Sequence, residues 1–275
     1  MPHHHPRLDC TLHEPRNGQA PRHTFVLSHA LGCDRTMWDG LVERLSADSR
    51  VLTYDQFGHG LSDTPPGPYT MARLADEAAA LIKERGLGPV IWIGLSMGGM
   101  VGQELALRHP DVVRALVLAN TTSHYPFDAR QGWDQRIATL RTQGLEAIVD
   151  TAMTRWFHDR FRAEQPQAVA HWRAKVLTAR AEGYAACCEA IRDVDTFERL
   201  QRIQAPTLVI AGELDQGTPP VMARAIASQV PHAQLVVLLQ ASHLSVLEQP
   251  ADFAHAVERW VLDIEASLPQ LAAAA

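Results

Sequence analysis

An apolar run of strand length, Val90-Ile91-Trp92-Ile93, ends in Gly94-Leu95-Ser96-Met97-Gly98 and passes at once into a helical pattern through Met100, Val101, Leu105 and Ala106. A serine at the tip of such a strand-to-helix turn has a strained backbone and no room for side chains two positions before and after it. Glycine at 94 and 98 supplies that room. The turn lifts the Ser96 hydroxyl out of the sheet edge. The helix beginning beside it aims unpaired N–H groups and the positive end of its dipole at whatever the hydroxyl attacks. Position 96 therefore reads as a nucleophile rather than as a solvated serine in a glycine-rich turn.

The flanking chain repeats the alternation. Phe25-Val26-Leu27 runs into the small-residue loop Ser28-His29-Ala30-Leu31-Gly32, and Asp34 to Leu45 has helical spacing. Val51 to Tyr54 is a strand closing in the turn Asp55-Gln56-Phe57-Gly58-His59-Gly60, and Thr70 can cap a helix through Met71, Leu74, Ala78, Leu81 and Ile82. Pro110 stops the helix after Ser96, and Ala115 to Ala119 is a further buried strand. Leu8 to Leu12 offers an edge strand. Thr207 to Ala211 and Leu235 to Leu239 are late strands, with Thr218-Pro219-Pro220 starting a helix between them and Phe253 to Ile264 forming the last helix before an alanine-rich end that should fray. Such alternation means a mostly parallel twisted sheet with helices on both faces.

Strand patterns vanish from Thr122 to Gln204, where helical spacing carries Trp133, Trp156, Phe157, Phe161, Trp172 and Tyr184. The expected organisation is a core of residues 1–121 and 205–275 with a helical cap, 122–204, inserted over the carboxyl ends of the strands, where α/β sheets bind ligands.

With 46% hydrophobic and 20% charged residues the composition is that of a globular protein, and a net charge of −6 argues against a nucleic-acid partner. No apolar stretch reaches the roughly 18 residues of a membrane span, and no signal-peptide pattern opens the chain, so a cytoplasmic protein with no membrane partner is expected. Cys10, Cys33, Cys187 and Cys188 lack disulfide or metal spacing and read as packed thiols, and His3-His4-His5 as a floppy end.

A serine hydroxyl needs a base, and the base an orienting carboxylate. Asp215 and His243 follow the two late strands, and the order Ser96, Asp215, His243 is that of the α/β-hydrolase fold. Glu213 is the competing acid; Asp215 lies further out from the strand end, where an orienting carboxylate has to be. His243 would take the proton of Ser96 and return it to the leaving group, so activity should fall on the acid side as it protonates. The oxyanion donors expected are the backbone N–H groups of Met97 and Leu31. His29 and His59 are expected to brace the loops. No metal or organic cofactor is called for.

The chain resembles the 3-oxoadipate enol-lactonases within the α/β-hydrolase fold over nearly its whole length. Core matches are Leu31-Gly32 with Met37-Trp38, Arg50-Val51-Leu52 into Tyr54-Asp55, Gly58-His59-Gly60, the Ser96 turn, Asn120-Thr121, and Ala241-Ser242-His243 with Glu248. Those in the cap, Arg155-Trp156-Phe157 and Glu182-Gly183-Tyr184 with Cys188-Glu189-Ala190-Ile191, are the more specific, because caps diverge quickly. The resemblance implies hydrolysis of a lactone bearing a free carboxylate, through an acyl-enzyme on Ser96. The cap offers Arg130, Arg136 and Arg155 beside Trp133 and Trp156 for that carboxylate, with Arg155 the chosen contact.

Two positions depart from the family pattern. Phe57 stands where the family has Arg, and His29-Ala30 where it has Asn-Ser; both are expected at the mouth of the site, where Phe57 would favour a more apolar substrate. The alternatives are a carboxylesterase, a carbon–carbon hydrolase of ring cleavage, which commonly carries Asn where this chain has Leu95, and a non-catalytic binding protein on the same fold.

Overall fold

The computed structural model describes residues 6–273; His3-His4-His5 and the very end of the alanine-rich tail lie outside the described residues. The strands are β1 (Cys10–His13), β2 (Thr24–Ser28), β3 (Arg50–Tyr54), β4 (Val90–Leu95), β5 (Val113–Ala119), β6 (Thr207–Gly212) and β7 (Gln234–Leu238). They form one sheet in the order β1-β3-β2-β4-β5-β6-β7, parallel throughout except for the antiparallel edge strand β1. β4 lies between β2 and β5, with Val26 and Leu116 flanking Trp92 in register, and all six of its residues are buried. Burial on both faces is why it reads as an unbroken apolar run.

The core helices are α1 (Asp39–Leu45), α2 (Met71–Glu84), α3 (Met97–Arg108), α9 (Pro220–Gln229), the short α10 (Ser245–Glu248) and α11 (Pro250–Ala273). α1 packs with α11, while α2 packs on α3 and α9 lies against β6 and β7, so helices cover both faces of the sheet. The helix expected from Asp34 is split: Arg35–Trp38 is 3-10 and α1 begins only at Asp39. The Asp34 carboxylate accepts the Thr36 N–H at 3.0 Å and tightens that first turn. Thr70 caps α2 by accepting the Arg73 N–H at 3.1 Å. The helix expected from Thr218 begins at Pro220, because the Thr218 hydroxyl is engaged elsewhere.

Between β5 and β6 run α4 (Phe127–Gln143), α5 (Glu146–Trp156), α6 (Asp159–Glu164), α7 (Pro166–Thr178) and α8 (Ala181–Arg192). This helical segment is tied to the core at several points. Lys175 Nζ lies 2.6 Å from Asp34, Arg180 donates to Thr64 Oγ1 and to the Ser62 carbonyl, and the Leu244 N–H reaches the Trp156 carbonyl at 3.2 Å. α8 meets the Gly58 turn backbone to backbone: a Cβ on Gly58 would fall 2.6 Å from Gly183 Cα. Cys33, Cys187 and Cys188 are buried free thiols, and no helix among the described residues is long and apolar enough to cross a membrane.

The Gly58–Gly183 contact leaves no space for a methyl group on the helix side, where a Cβ on Gly183 would also fall 2.9 Å from Thr64 Cγ2. Gly183→Ala is expected to lower stability by about 1–3 kcal/mol, the usual cost of overpacking, measured as a lower midpoint of urea unfolding.

Candidate active site

Ser96 occupies the junction of β4 and α3 with φ 57° and ψ −114°, a left-handed conformation that costs on the order of 1–3 kcal/mol for a residue with a side chain. The surroundings hold it there. Its N–H donates to the Ala119 carbonyl at 2.9 Å, and its own carbonyl accepts from Gly99 N (2.9 Å), Met100 N (3.1 Å) and Thr121 Oγ1 (2.8 Å). A side chain at Gly94 would overlap the Gly98 carbonyl, and one at Gly98 the Ser28 carbonyl.

The three side chains selected by their order in the sequence meet here. Ser96 Oγ lies 2.9 Å from His243 Nε2, and His243 Nδ1 lies 2.9 and 3.1 Å from the Asp215 oxygens. All three residues are buried. The Asp215 carboxylate also accepts the N–H groups of Gly217 (2.8 Å) and Thr218 (3.0 Å), the Thr218 hydroxyl (2.8 Å) and the Asn120 amide (3.0 Å). Burial pushes its pKa up, but His243 and these donors outweigh burial and hold it below the usual carboxylate range. An ionised carboxylate on Nδ1 fixes the tautomer that leaves Nε2 free to accept the Ser96 proton. Glu213 is exposed and accepts from Gln240 N, away from His243.

Asn120 and Thr218 are contributors that sequence analysis did not identify as site residues. Asn120 follows β5 with φ 45°; its amide donates to Asp215 and to the Ser242 carbonyl, both at 3.0 Å, and its oxygen accepts from Ser245 Oγ. An asparagine directly after a buried strand was the available signal, since asparagine tolerates this backbone region better than most residues. Thr218 resembles a helix cap in sequence and spends its hydroxyl on Asp215 instead.

Above Ser96 lies a cavity of about 400 Å³ lined by Leu31, Tyr125, Trp133, Arg136, Arg155, Trp156, Ile191, Gln216 and His243. The N–H groups of Leu31 and Met97 donate to no protein acceptor among the described residues, and α3 starts at Met97. Arg155 is exposed at the cavity, and its guanidinium makes no ion pair among the described residues. Arg130 donates to the Tyr125 carbonyl instead of lining the cavity.

Arg136 is half-buried. Its guanidinium lies 5.4 Å from the Trp133 ring centre and 5.7 Å from that of Tyr184, and donates to the Tyr184 hydroxyl at 2.5 Å. Its Nε is buried without a partner, and no carboxylate pairs with it among the described residues.

The expectation for Phe57 is corrected. Its ring is fully buried 6.0 Å from that of Tyr69, with the Arg73 guanidinium 5.9 Å away, and it does not line the cavity. The chain reverses at Gly58 (φ 78°), which turns position 57 into the core instead of towards the mouth. His29 is likewise fully buried beneath the loop. Neither Phe57 nor His29 lines the cavity.

A family profile described as alpha/beta hydrolase fold matches residues 23–250. The chain is 38% identical over 250 residues to 3-oxoadipate enol-lactonase 2 of Acinetobacter baylyi, covering 91% of this chain and 92% of that protein. It superposes on the crystal structure of the enol-lactonase from Burkholderia xenovorans LB400 with a TM-score of 0.88 at 35% identity, covering 94% and 97% of the two chains. A thermophilic esterase from Thermogutta terrifontis, solved with malate bound, gives 0.87 at 29% identity, covering 94% of each chain. RutD of Pseudomonas syringae pv. syringae, named as a prospective carbamate hydrolase, is 31% identical over 260 residues, covering 91% of this chain and 97% of that protein.

Two imidazoles hold the loop that carries Leu31. His59 Nε2 accepts the Gly32 N–H at 2.9 Å and His29 Nε2 accepts the Gln56 N–H at 2.8 Å, so both rings are neutral acceptors. Burial lowers both pKa values; for His59, burial and then the neighbouring His29 bring it to about 3. The unfolded chain therefore binds protons on these rings that the folded chain refuses. Their effect on stability is absent above about pH 6.5 and grows as pH falls below it, at up to ~1.4 kcal/mol per pH unit for each ring. The urea midpoint is expected to fall between pH 6.5 and 5, and less steeply in His59→Gln, which keeps an acceptor for Gly32 but takes up about one proton fewer on unfolding.

Proposed function

The chain belongs to the α/β-hydrolase family, and on that premise we propose that it cleaves a carboxylate-bearing enol-lactone, 3-oxoadipate enol-lactone, through an acyl-enzyme on Ser96. The observation that carries this substrate class is Arg136: a half-buried cation at the wall of the cavity above Ser96, with no protein carboxylate beside it among the described residues. A cation desolvated without a counter-ion is costly, and a substrate carboxylate supplies the missing charge. Arg155, at the exposed side of the same cavity, adds a second positive charge, while Trp133 and Trp156 supply apolar walls. In this proposal residues 122–204 are the cap that reads the substrate, and residues 1–121 and 205–275 the core that cleaves it.

The chemistry follows from the hydrogen bonds. Ser96 Oγ attacks the lactone carbonyl while His243 Nε2 takes its proton, and Asp215 stabilises the imidazolium. The N–H groups of Leu31 and Met97 receive the oxyanion as its charge develops. Breaking the ring C–O bond expels an enolate oxygen. His243 protonates it and the enol passes to the ketone, leaving the acyl group on Ser96. Water attacks that ester with His243 again as base, releasing the 3-oxoacid and restoring the serine. An enolate is a better leaving group than an alkoxide, so an enol-lactone needs less help from the general acid than a simple alkyl ester does.

The deciding experiment compares kcat/KM for 3-oxoadipate enol-lactone and for short p-nitrophenyl esters in the wild type, Ser96→Ala and Arg136→Ala. The expected result is a strong preference for the lactone, with loss of both activities in Ser96→Ala. In Arg136→Ala, KM for the lactone rises about 10–100-fold, the worth of one charged hydrogen bond, and turnover of the uncharged esters changes little. Preference for the uncharged esters would make the protein a general carboxylesterase, and turnover of a carbamate in place of both would put it with RutD. Asp215→Asn is expected to cost on the order of 10³–10⁴ in kcat, and Glu213→Gln almost nothing, in the same assays.

A further inference from the structure

Glu248 is a buried carboxylate that takes no part in the proposed chemistry. Glu248 closes the short helix α10, five residues after His243, and its side chain is fully buried. One of its oxygens accepts the backbone N–H of Ser242, immediately before His243, and the other accepts the backbone N–H of His158 at 3.0 Å. His158 follows the cap helix α5 by two residues, and the last residues of that helix, Arg155 and Trp156, line the cavity. The same two segments meet again where Leu244 N donates to the Trp156 carbonyl at 3.2 Å. The chain on either side of His243 is thus bound to the wall of the substrate cavity, with one carboxylate as the bridge.

We infer that Glu248 is a positioning residue, whose carboxylate sets the spacing between the His243 loop and the Arg155–Trp156 wall and so aims His243 at Ser96. The inference rests on the proposed roles of Ser96 and His243. Two features separate it from mere packing. Both acceptor bonds go to main-chain N–H groups, one of core and one of cap, so a single rigid group fixes the distance between two segments that are 84 residues apart (158 to 242) in the chain. The group is also held there at a cost to stability. Burial raises the Glu248 carboxyl above the usual range against the pull of those two N–H groups and of His158, whose Nε2 is 3.8 Å away, while Asp215 adds to the rise. An apolar side chain would fill the same space without desolvating a charge, but it could not accept either N–H.

The test uses Glu248→Gln, which keeps shape and one acceptor oxygen but turns an amide N–H₂ towards the other main-chain donor. A second pair, His158→Pro and His158→Ala, serves if the first variant folds poorly. His158 has φ −70° and ψ 162°, a conformation proline adopts, so His158→Pro deletes the N–H that Glu248 accepts. Both members of the pair lose the imidazole that caps α6, so their difference isolates that one hydrogen bond.

Two quantities are read on protein that is folded by near-ultraviolet circular dichroism: the rate of Ser96 labelling by a fluorophosphonate, and kcat and KM for the best substrate. The expected result is labelling and kcat reduced on the order of 10–100-fold in Glu248→Gln, with KM within about threefold, and His158→Pro slower than His158→Ala in the same sense. Unchanged labelling and kcat in Glu248→Gln, or equal rates in the two His158 variants, would overturn the inference while leaving Ser96 and His243 in their roles. A wild type that is not labelled at all would overturn those roles and this inference with them.

Discussion

The rest of the structure depends on a serine held where its backbone does not choose to be. Ser96 has a positive φ at the end of the central strand β4, and the strain is offset by four hydrogen bonds to its peptide groups, from or to Ala119, Gly99, Met100 and Thr121. Those partners come from the neighbouring strand end and from the helix that follows, so the turn is stable only in an assembled sheet. The same close packing dictates glycine at 94 and 98, because the elbow touches its own helix and the end of β2. A shallower turn would accept ordinary side chains but would leave the hydroxyl down in the sheet, out of reach of an imidazole carried on the loop after β7.

Around that serine the protein handles buried charge in two opposite ways. Asp215 and Glu248 are carboxylates supplied with donors from their own chain: Asp215 bonds to the ring of His243, and Glu248 to the main chain at Ser242 and at His158. Asn120 links the two regions by donating to Asp215 and to the Ser242 carbonyl. Arg136 differs. It is packed between aromatic rings and bonded to the Tyr184 hydroxyl, yet one of its donors has no acceptor. Satisfied charges rigidify a site, whereas in the proposed function the uncompensated charge of Arg136 at the cavity wall receives the substrate carboxylate.

The proposed function divides the labour between the sheet core and the inserted helical segment. In that reading the core presents a nucleophile, a base and free backbone donors that suit many acyl compounds. In the proposed function selectivity is left to side chains of α4 and α5, Trp133, Arg136, Arg155 and Trp156, which line the cavity and whose backbone positions depend on how the helical segment docks. Docking is itself specified by small contacts, the meeting of Gly58 and Gly183 and the bridge from Asp34 to Lys175. Relatives with one core and different named activities are what such a separation produces.

The sequence by itself determined the sheet, its helices and the meeting of Ser96, Asp215 and His243. Strand and helix periodicities are local, and glycine at 94 and 98 reports a steric demand that no other residue meets. Loop placement after each parallel strand follows from topology, so residues after β4, β6 and β7 must converge at one end of the sheet. What only the tertiary structure decided were the directions of single side chains in irregular backbone. Phe57 turns inward because the chain reverses at Gly58. Thr218 bonds to Asp215 rather than capping α9, and Arg136 rather than Arg130 reaches the cavity. Glu248 finds its second donor on a segment distant in the chain. Each of these depends on which groups a non-local contact brings within about 3 Å, and hydrogen bonding at that range has no periodicity for a sequence to display.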